Sequence, residues 1–134
     1  MKATEITRRY HDAWSGRDAD ALVACFTKDG TFCNPDTYPE IGGEALANYV
    51  KGIWTAFPDF SAELLNAGEI QPGLVAHHWL VRGTNTGPGA DGSEPTGRTV
   101  TLQGASIIRV EGDKIRSDQS YFDGRAMDKQ LQPS

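Results

Sequence analysis

A chain of 134 residues, 38% apolar and 23% charged, is long enough for one domain with a real core. It offers no run near the roughly 20 apolar residues that a membrane span needs. Acidic residues outnumber basic ones by 18 to 13, and with a net charge of -5 spread without blocks no basic face for nucleic acid is visible, which sets that class aside.

The start, Met1-Lys2-Ala3-Thr4-Glu5, turns polar at once and lacks the apolar stretch of a secretory signal, so a cytoplasmic protein is expected. Ile6, Tyr10, Ala13 and Trp14 recur at i, i+4, i+7 and i+8, one apolar stripe on a helix from about Ala3 to Ser15. Gly16 ends it, and Asp18 is placed to cap a shorter helix carrying Leu22, Cys25 and Phe26. Lys28-Asp29-Gly30 reads as a turn before a short strand, Thr31 to Asn34, stopped by Pro35. Cys25 and Cys33 sit in no CxxC or similar pattern and are expected to be buried thiols.

After a loop from Asp36 to Gly43, a third helix begins near Glu44 with Leu46, Val50, Ile53, Trp54 and Phe57 on one stripe. Pro58 stops it, because proline disfavours helical geometry in the residue before it. From Asp59 the period becomes two, with Phe60, Ala62, Leu64 and Asn66 alternating against Ser61, Glu63 and Leu65. A turn at Gln71-Pro72-Gly73 leads into a strand from Leu74 to Asn85. Thr86 to Gly97 holds four glycines and two prolines, an exposed connection between long strands. It contains no GxGxxG or GxxxxGK[ST], so its glycines are expected to serve turns and not a phosphate cradle. Val100 to Val110 is the next strand, Glu111-Gly112-Asp113 a tight turn and Lys114 to Asp123 the last strand. A tail helix, Ala126 to Leu131, follows, with Asp123 placed as its cap. His11 on a helix and the adjacent pair His77 and His78 on a strand lack the spacing of a familiar zinc site, and no metal is expected.

Helices first and strands afterwards, joined by hairpin-length turns, predict a single α+β domain over 1–134. Its antiparallel or mixed sheet has strands long enough that they must bend. The expected shape is a strongly curved sheet wrapped around three N-terminal helices, a cone with an internal pocket.

Several segments carry a family likeness: Ala56-Phe57-Pro58-Asp59, Val75-Ala76-His77-His78-Trp79, Gly83-Thr84-Asn85-Thr86-Gly87 and Pro95-Thr96-Gly97-Arg98. Ile107-Ile108-Arg109-Val110 with Lys114-Ile115, then Tyr121-Phe122-Asp123 and Gln130-Leu131, continue it. In this order they resemble the nuclear-transport-factor-2-like superfamily, and within it the SnoaL-like polyketide cyclases. The resemblance implies a hydrophobic pocket for a small molecule and a homodimer formed through the broad sheet face. It also implies positions. The cyclases' acid/base Asp and the His of the preceding strand fall here on Ser120 and Ser106, hydroxyls that cannot shuttle a proton as a carboxylate or imidazole does. The limonene epoxide hydrolases resemble the chain around Thr31 to Asn34. Their water-holding Asn matches Asn34 and its Tyr partner becomes Phe32, while their Arg and Asp fall near Trp79 and Val81 and their second Asp on Ser120.

Alternation places Asp118 and Phe122 on the face of Ser120, the pocket face by that match. Asp118 is then the leading acid/base candidate, its pKa raised by an apolar surround, unless it pairs with Arg116 or Arg109 at the sheet rim. His77, Trp79 and Asn85 share the pocket face of their strand. His77 is the expected partner of Asp118 or a ligand for substrate oxygen, unless it is exposed or hydrogen-bonded to a helix end. Asn34 and Asn85 would fix a polar atom or a water, although an amide satisfied within its own loop end explains each more simply, and Ser106 and Ser120 would form the floor. Trp54, Phe57, Trp79 and Phe122 would make the apolar wall, although core packing explains such residues equally. Two functions follow: a cofactor-independent cyclase, isomerase or hydrolase type of enzyme acting on a hydrophobic carbonyl or ring compound, or a non-catalytic domain of the same fold that binds a small apolar ligand or dimerises.

Overall fold

The computed structural model describes residues 1–133. In chain order it forms α1 (Ala3–Ser15), α2 (Ala19–Ala24), β1 (Phe26–Cys33), α3 (Glu44–Ala56), β2 (Ser61–Gln71) and β3 (Leu74–Thr84), then β4 (Thr99–Glu111), β5 (Lys114–Phe122) and α4 (Gly124–Leu131). The five strands lie in the order β1-β5-β4-β3-β2 in one open sheet. The three hairpin pairings are antiparallel, and β1 joins β5 in parallel, so the sheet is mixed. Bulges in β2 and at Arg116 of β5, opposite the Arg109–Val110 step of β4, bend the long strands, as extra unpaired residues do, and the sheet curls round the helices.

Most boundaries shift by a residue or two from the sequence reading, and the first strand differs most. The second helix ends at Ala24, and the expected turn Lys28-Asp29-Gly30 lies inside β1. Between Phe26 and Thr31 the chain advances five residues while its partner moves only from Ile115 to Ser117. The turn-forming residues are therefore extruded as a wide bulge instead of ending the strand. Gly30 permits this, since a Cβ there would come within 2.9 Å of the Ile115 carbonyl oxygen.

Ile6, Leu22, Leu46, Val50, Ile108 and Ile115 form the centre of the core between the helices and the inner sheet face, each worth about 1.5–3 kcal/mol of burial. Cys25 and Cys33 are free and buried. No helix among the described residues is long and apolar enough to cross a membrane. The tail helix starts at Gly124, with the Asp123 carboxylate accepting from the Arg125 and Ala126 amides. It has a structural reason to lie where it does. β5 ends at Phe122 opposite Gly104, so the stretch of β4 before Gly104 lacks a strand on that side. The Gln130 side-chain amide takes over there, donating to the Thr101 carbonyl and accepting from the Thr101 amide, both at 2.9 Å.

Candidate active site

A cavity of about 190 Å³ lies between the inner face of β3, β4 and β5 and the helices α1 and α3, with Met127 of α4 at one side. Its wall is mainly aromatic, including Trp14, Phe57, Phe60, Trp79 and Phe122. Strand alternation turns Asp118, Ser120 and Phe122 into it, while Tyr121 on the opposite face is 56% exposed. His77, Ser106 and Ser120 stand directly opposed across three strands, so their side chains form one inward row.

Asp118 is 3% exposed. The Tyr10 hydroxyl donates to its Oδ2 at 2.6 Å and the Ser120 hydroxyl to its Oδ1 at 2.9 Å. Ser120 in turn meets Ser106 at 2.8 Å, and the Trp79 indole N–H donates to Ser106 at 2.9 Å. No cation balances the carboxylate: the ion pairs among the described residues, Arg8–Asp12 and Arg116–Glu111, are at the surface. Arg116 reaches the Asp29 carbonyl instead, which disposes of the rim ion pair as the plainer reading. Burial pushes the Asp118 carboxyl up to about 6, against the hydrogen bonds from Tyr10 and Ser120 that favour its ionised form. The Tyr10 phenol is raised well above its usual range, first by burial and then by Asp118.

His77 is 4% exposed, and its Nε2 meets the Thr7 hydroxyl at 2.9 Å. Burial chiefly, with the nearby His11 and Arg8 adding to it, lowers its pKa to about 4. The imidazole is neutral at physiological pH. The Asn34 carbonyl oxygen accepts from the Asp36 amide and from the Thr37 amide and hydroxyl, and its Nδ2 donates to the Tyr49 hydroxyl at 2.9 Å. Asn34 lines the cavity, but most of its capacity goes to shaping the turn after β1.

Two expected site residues lie elsewhere. Asn85 falls just past the end of β3, where alternation no longer governs direction. Its Nδ2 donates to the Ala56 and Gly87 carbonyls and its Oδ1 accepts from the Thr96 amide and hydroxyl, so it pins the long loop to the end of α3 and stays outside the cavity lining. Trp54, one helical step past Ile53, is not part of the cavity lining as Ile53 and Phe57 are, and packs edge-on against Trp14 at 6.0 Å.

The sequence reading left out Tyr10, His11, Asp36 and Tyr49, all of which line the cavity. Tyr10 had offered one signal: a phenol on an otherwise apolar buried stripe needs a partner for its hydroxyl. Nothing local pointed to that partner, 108 residues away. Asp36, at the open end, is raised by desolvation, and the Tyr49 phenol beside it is pushed up to about 12, again mainly by burial.

The family profile described as SnoaL-like polyketide cyclase matches residues 4–131. Among solved structures, IdmH of Streptomyces antibioticus, a candidate polyketide cyclase, is similar at TM-score 0.82 and 21% identity, covering 98% of this chain and 99% of that one. AclR of Streptomyces galilaeus, a candidate hydroxylase, is similar at TM-score 0.83 and 20% identity, covering 98% and 83%. An epoxide hydrolase of the LEH-like type from M. tuberculosis is similar at TM-score 0.73 and 18% identity, covering 96% and 84%. At these identities the likenesses establish the fold alone. No curated protein matches this sequence.

Proposed function

This chain belongs to the SnoaL-like polyketide cyclase family, a family of small-molecule enzymes, and we propose that it is a cofactor-independent proton-transfer enzyme acting on a hydrophobic carbonyl or ring compound. One observation carries the proposal: a carboxyl group without a counter-ion, held at about 6 at the floor of an aromatic cavity. A pKa near the working pH suits a group that must both take and return a proton.

The departures at the family's catalytic positions fit this reading. By the resemblance those positions fall on Ser120 and Ser106, and the carboxylate stands at Asp118, two residues before Ser120 on the same face, with both serines in its hydrogen-bond network. Asp118 acts as the acid–base group, Tyr10 and Ser120 hold it, His77 orients the polar end of the substrate, and Phe57, Trp79 and Phe122 grip the apolar part.

The test is deuterium uptake from heavy water into apolar β-diketones. Wild-type protein should accelerate uptake, and Asp118→Asn should slow it by about 100-fold or more, the usual worth of a positioned acid–base group. An undiminished rate in the variant would rule the mechanism out. That outcome would leave a non-catalytic pocket for a small apolar ligand, a reading favoured by the fact that each Asp118 oxygen already accepts one internal hydrogen bond.

The same reading includes a cytoplasmic homodimer, supported by the two free cysteines and by the outer sheet face, where Tyr121 stands exposed beside the part-exposed Ile107. Light scattering at micromolar concentration should return twice the 14.5 kDa chain mass. A monomer mass contradicts the dimer.

A further inference from the structure

The hydrogen bonds at the cavity floor have directions as well as lengths. An indole N–H only donates, so Ser106 accepts from Trp79. The Ser120 proton goes to Asp118, so Ser106 must give its own to Ser120. A chain of donors thus runs from Trp79 through two hydroxyls to one carboxylate oxygen. On the helix side Tyr10 donates to the other oxygen, and the Trp14 indole N–H lies near enough to the phenol to oppose the rise that burial and Asp118 impose on its pKa.

The histidines follow the same rule. Thr7 donates to the Thr4 carbonyl, so the His77 Nε2–H must donate to Thr7. Its Nδ1, an acceptor in that tautomer, has no protein partner, yet it is not among the sealed and unpaired buried atoms. On a residue so buried, the open space it meets is the cavity. His11, whose ring packs beside His77 at 6.4 Å, gives its Nε2–H to Ser15, whose own proton goes to the Ala62 carbonyl, and the Tyr49 hydroxyl donates to Asp36. The donors left over in the wall lie elsewhere: the guanidinium of Arg82, exposed at the rim, and the second amide hydrogen of Asn34. The floor offers lone pairs and the outer wall offers N–H groups.

We propose that the ligand reaches this floor with a hydrogen-bond donor, an enolic or phenolic O–H on a framework of one or two rings, received by His77 Nδ1 beside the Asp118 carboxylate, and that its carbonyl oxygens face outward. A carbonyl oxygen at the floor would find no free donor and would stay unpaired in an apolar site, which is strongly disfavoured. The size follows from the volume, since an apolar cavity of about 150 Å³ accepts benzene. The inference rests on the proton-transfer reading in one respect. It takes the Asp118 carboxylate as the base: when the bound hydroxyl turns from Nδ1 to Asp118, giving up the hydrogen bond to the imidazole, its proton passes to the carboxylate and the bonding pair stays on the substrate oxygen.

Calorimetric titration of the full chain with β-naphthol, its methyl ether and β-naphthaldehyde tests the inference without turnover. The naphthol should bind about tenfold tighter than the ether, the difference one such hydrogen bond makes, and the aldehyde no better than the ether. Thr7→Val removes the partner of Nε2–H, lets His77 present a donor, and should narrow the gap between naphthol and aldehyde. His77→Phe, which keeps a ring but no acceptor, should weaken the naphthol and spare the ether. Equal or tighter binding of ether or aldehyde to wild type, no binding of the naphthol up to its solubility, or an intact preference in His77→Phe overturns the inference. A naphthol preference alongside undiminished deuterium uptake in Asp118→Asn would sink the catalytic reading and leave this one standing. Loss of uptake without the preference would do the reverse.

Discussion

Gly104→Ala is expected to destabilise the protein by about 2–4 kcal/mol and to break the donor chain that ends on Asp118. Gly104 sits in β4 directly opposite Trp79 on one side and Phe122 on the other. The six-membered ring of the Trp79 indole fills the space of the missing side chain, while its Nε1 donates to Ser106. A methyl group at residue 104 would overlap the indole and come within 2.7 Å of the Tyr121 carbonyl oxygen. The backbone atom is fixed by the β4–β5 pairing, so the indole must leave. Overpacking of this kind costs about 1–3 kcal/mol, and the lost hydrogen bond to a buried hydroxyl adds about 1 kcal/mol. Urea unfolding would measure the first effect and near-ultraviolet circular dichroism the indole's displacement. Wild-type values of both would mean that Trp79 does not depend on this glycine.

What could be read from the sequence was periodicity and a family likeness, and the floor needed both. Alternation along β5 groups Asp118, Ser120 and Phe122 on one face, the match of Ser120 to the family's acid/base position names that face as the inner one, and all three line the cavity. The same argument placed His77 and Trp79. It failed at Asn85 because alternation holds only while the strand lasts, and β3 stops one residue short. Trp54 failed for a related reason. A helical stripe about 100° wide contains residues that point into a cavity and neighbours that point past it, and the apolar pattern does not separate them. The bulge in β1 shows local turn chemistry overridden by long-range pairing. Lys28-Asp29-Gly30 has the composition of a turn, but Phe26 and Thr31 both pair with β5 and hold the segment in the sheet. The Tyr10–Asp118 bond lay out of reach altogether, since which two of many inward side chains touch is decided by the packing angle of α1 on the sheet.

Asp118→Asn should make the protein more stable at neutral pH, by about 1–3 kcal/mol, while abolishing proton transfer. The sign follows from linkage. Folding raises the Asp118 pKa from 3.8 to about 6. Well below 3.8 the carboxyl is protonated in both states and contributes no difference. Between 3.8 and about 6 the unfolded chain ionises first while the folded one holds its proton, so stability falls as pH rises through that window and levels off above it. A rise of about two units corresponds to about 3 kcal/mol at full ionisation. Asn has nearly the same shape and never ionises, so it escapes that penalty. Part of the gain is offset because its Nδ2 must face a donor, Tyr10 or Ser120, where a carboxylate oxygen had accepted. Unfolding curves at about pH 7 and about pH 4 would show the variant ahead at the first and level or behind at the second. A variant less stable by the same margin at both values would mean that Asp118 is held for its hydrogen bonds alone. An advantage confined to neutral pH, coupled to lost activity, identifies a charge that destabilises the fold and is retained for the chemistry it performs.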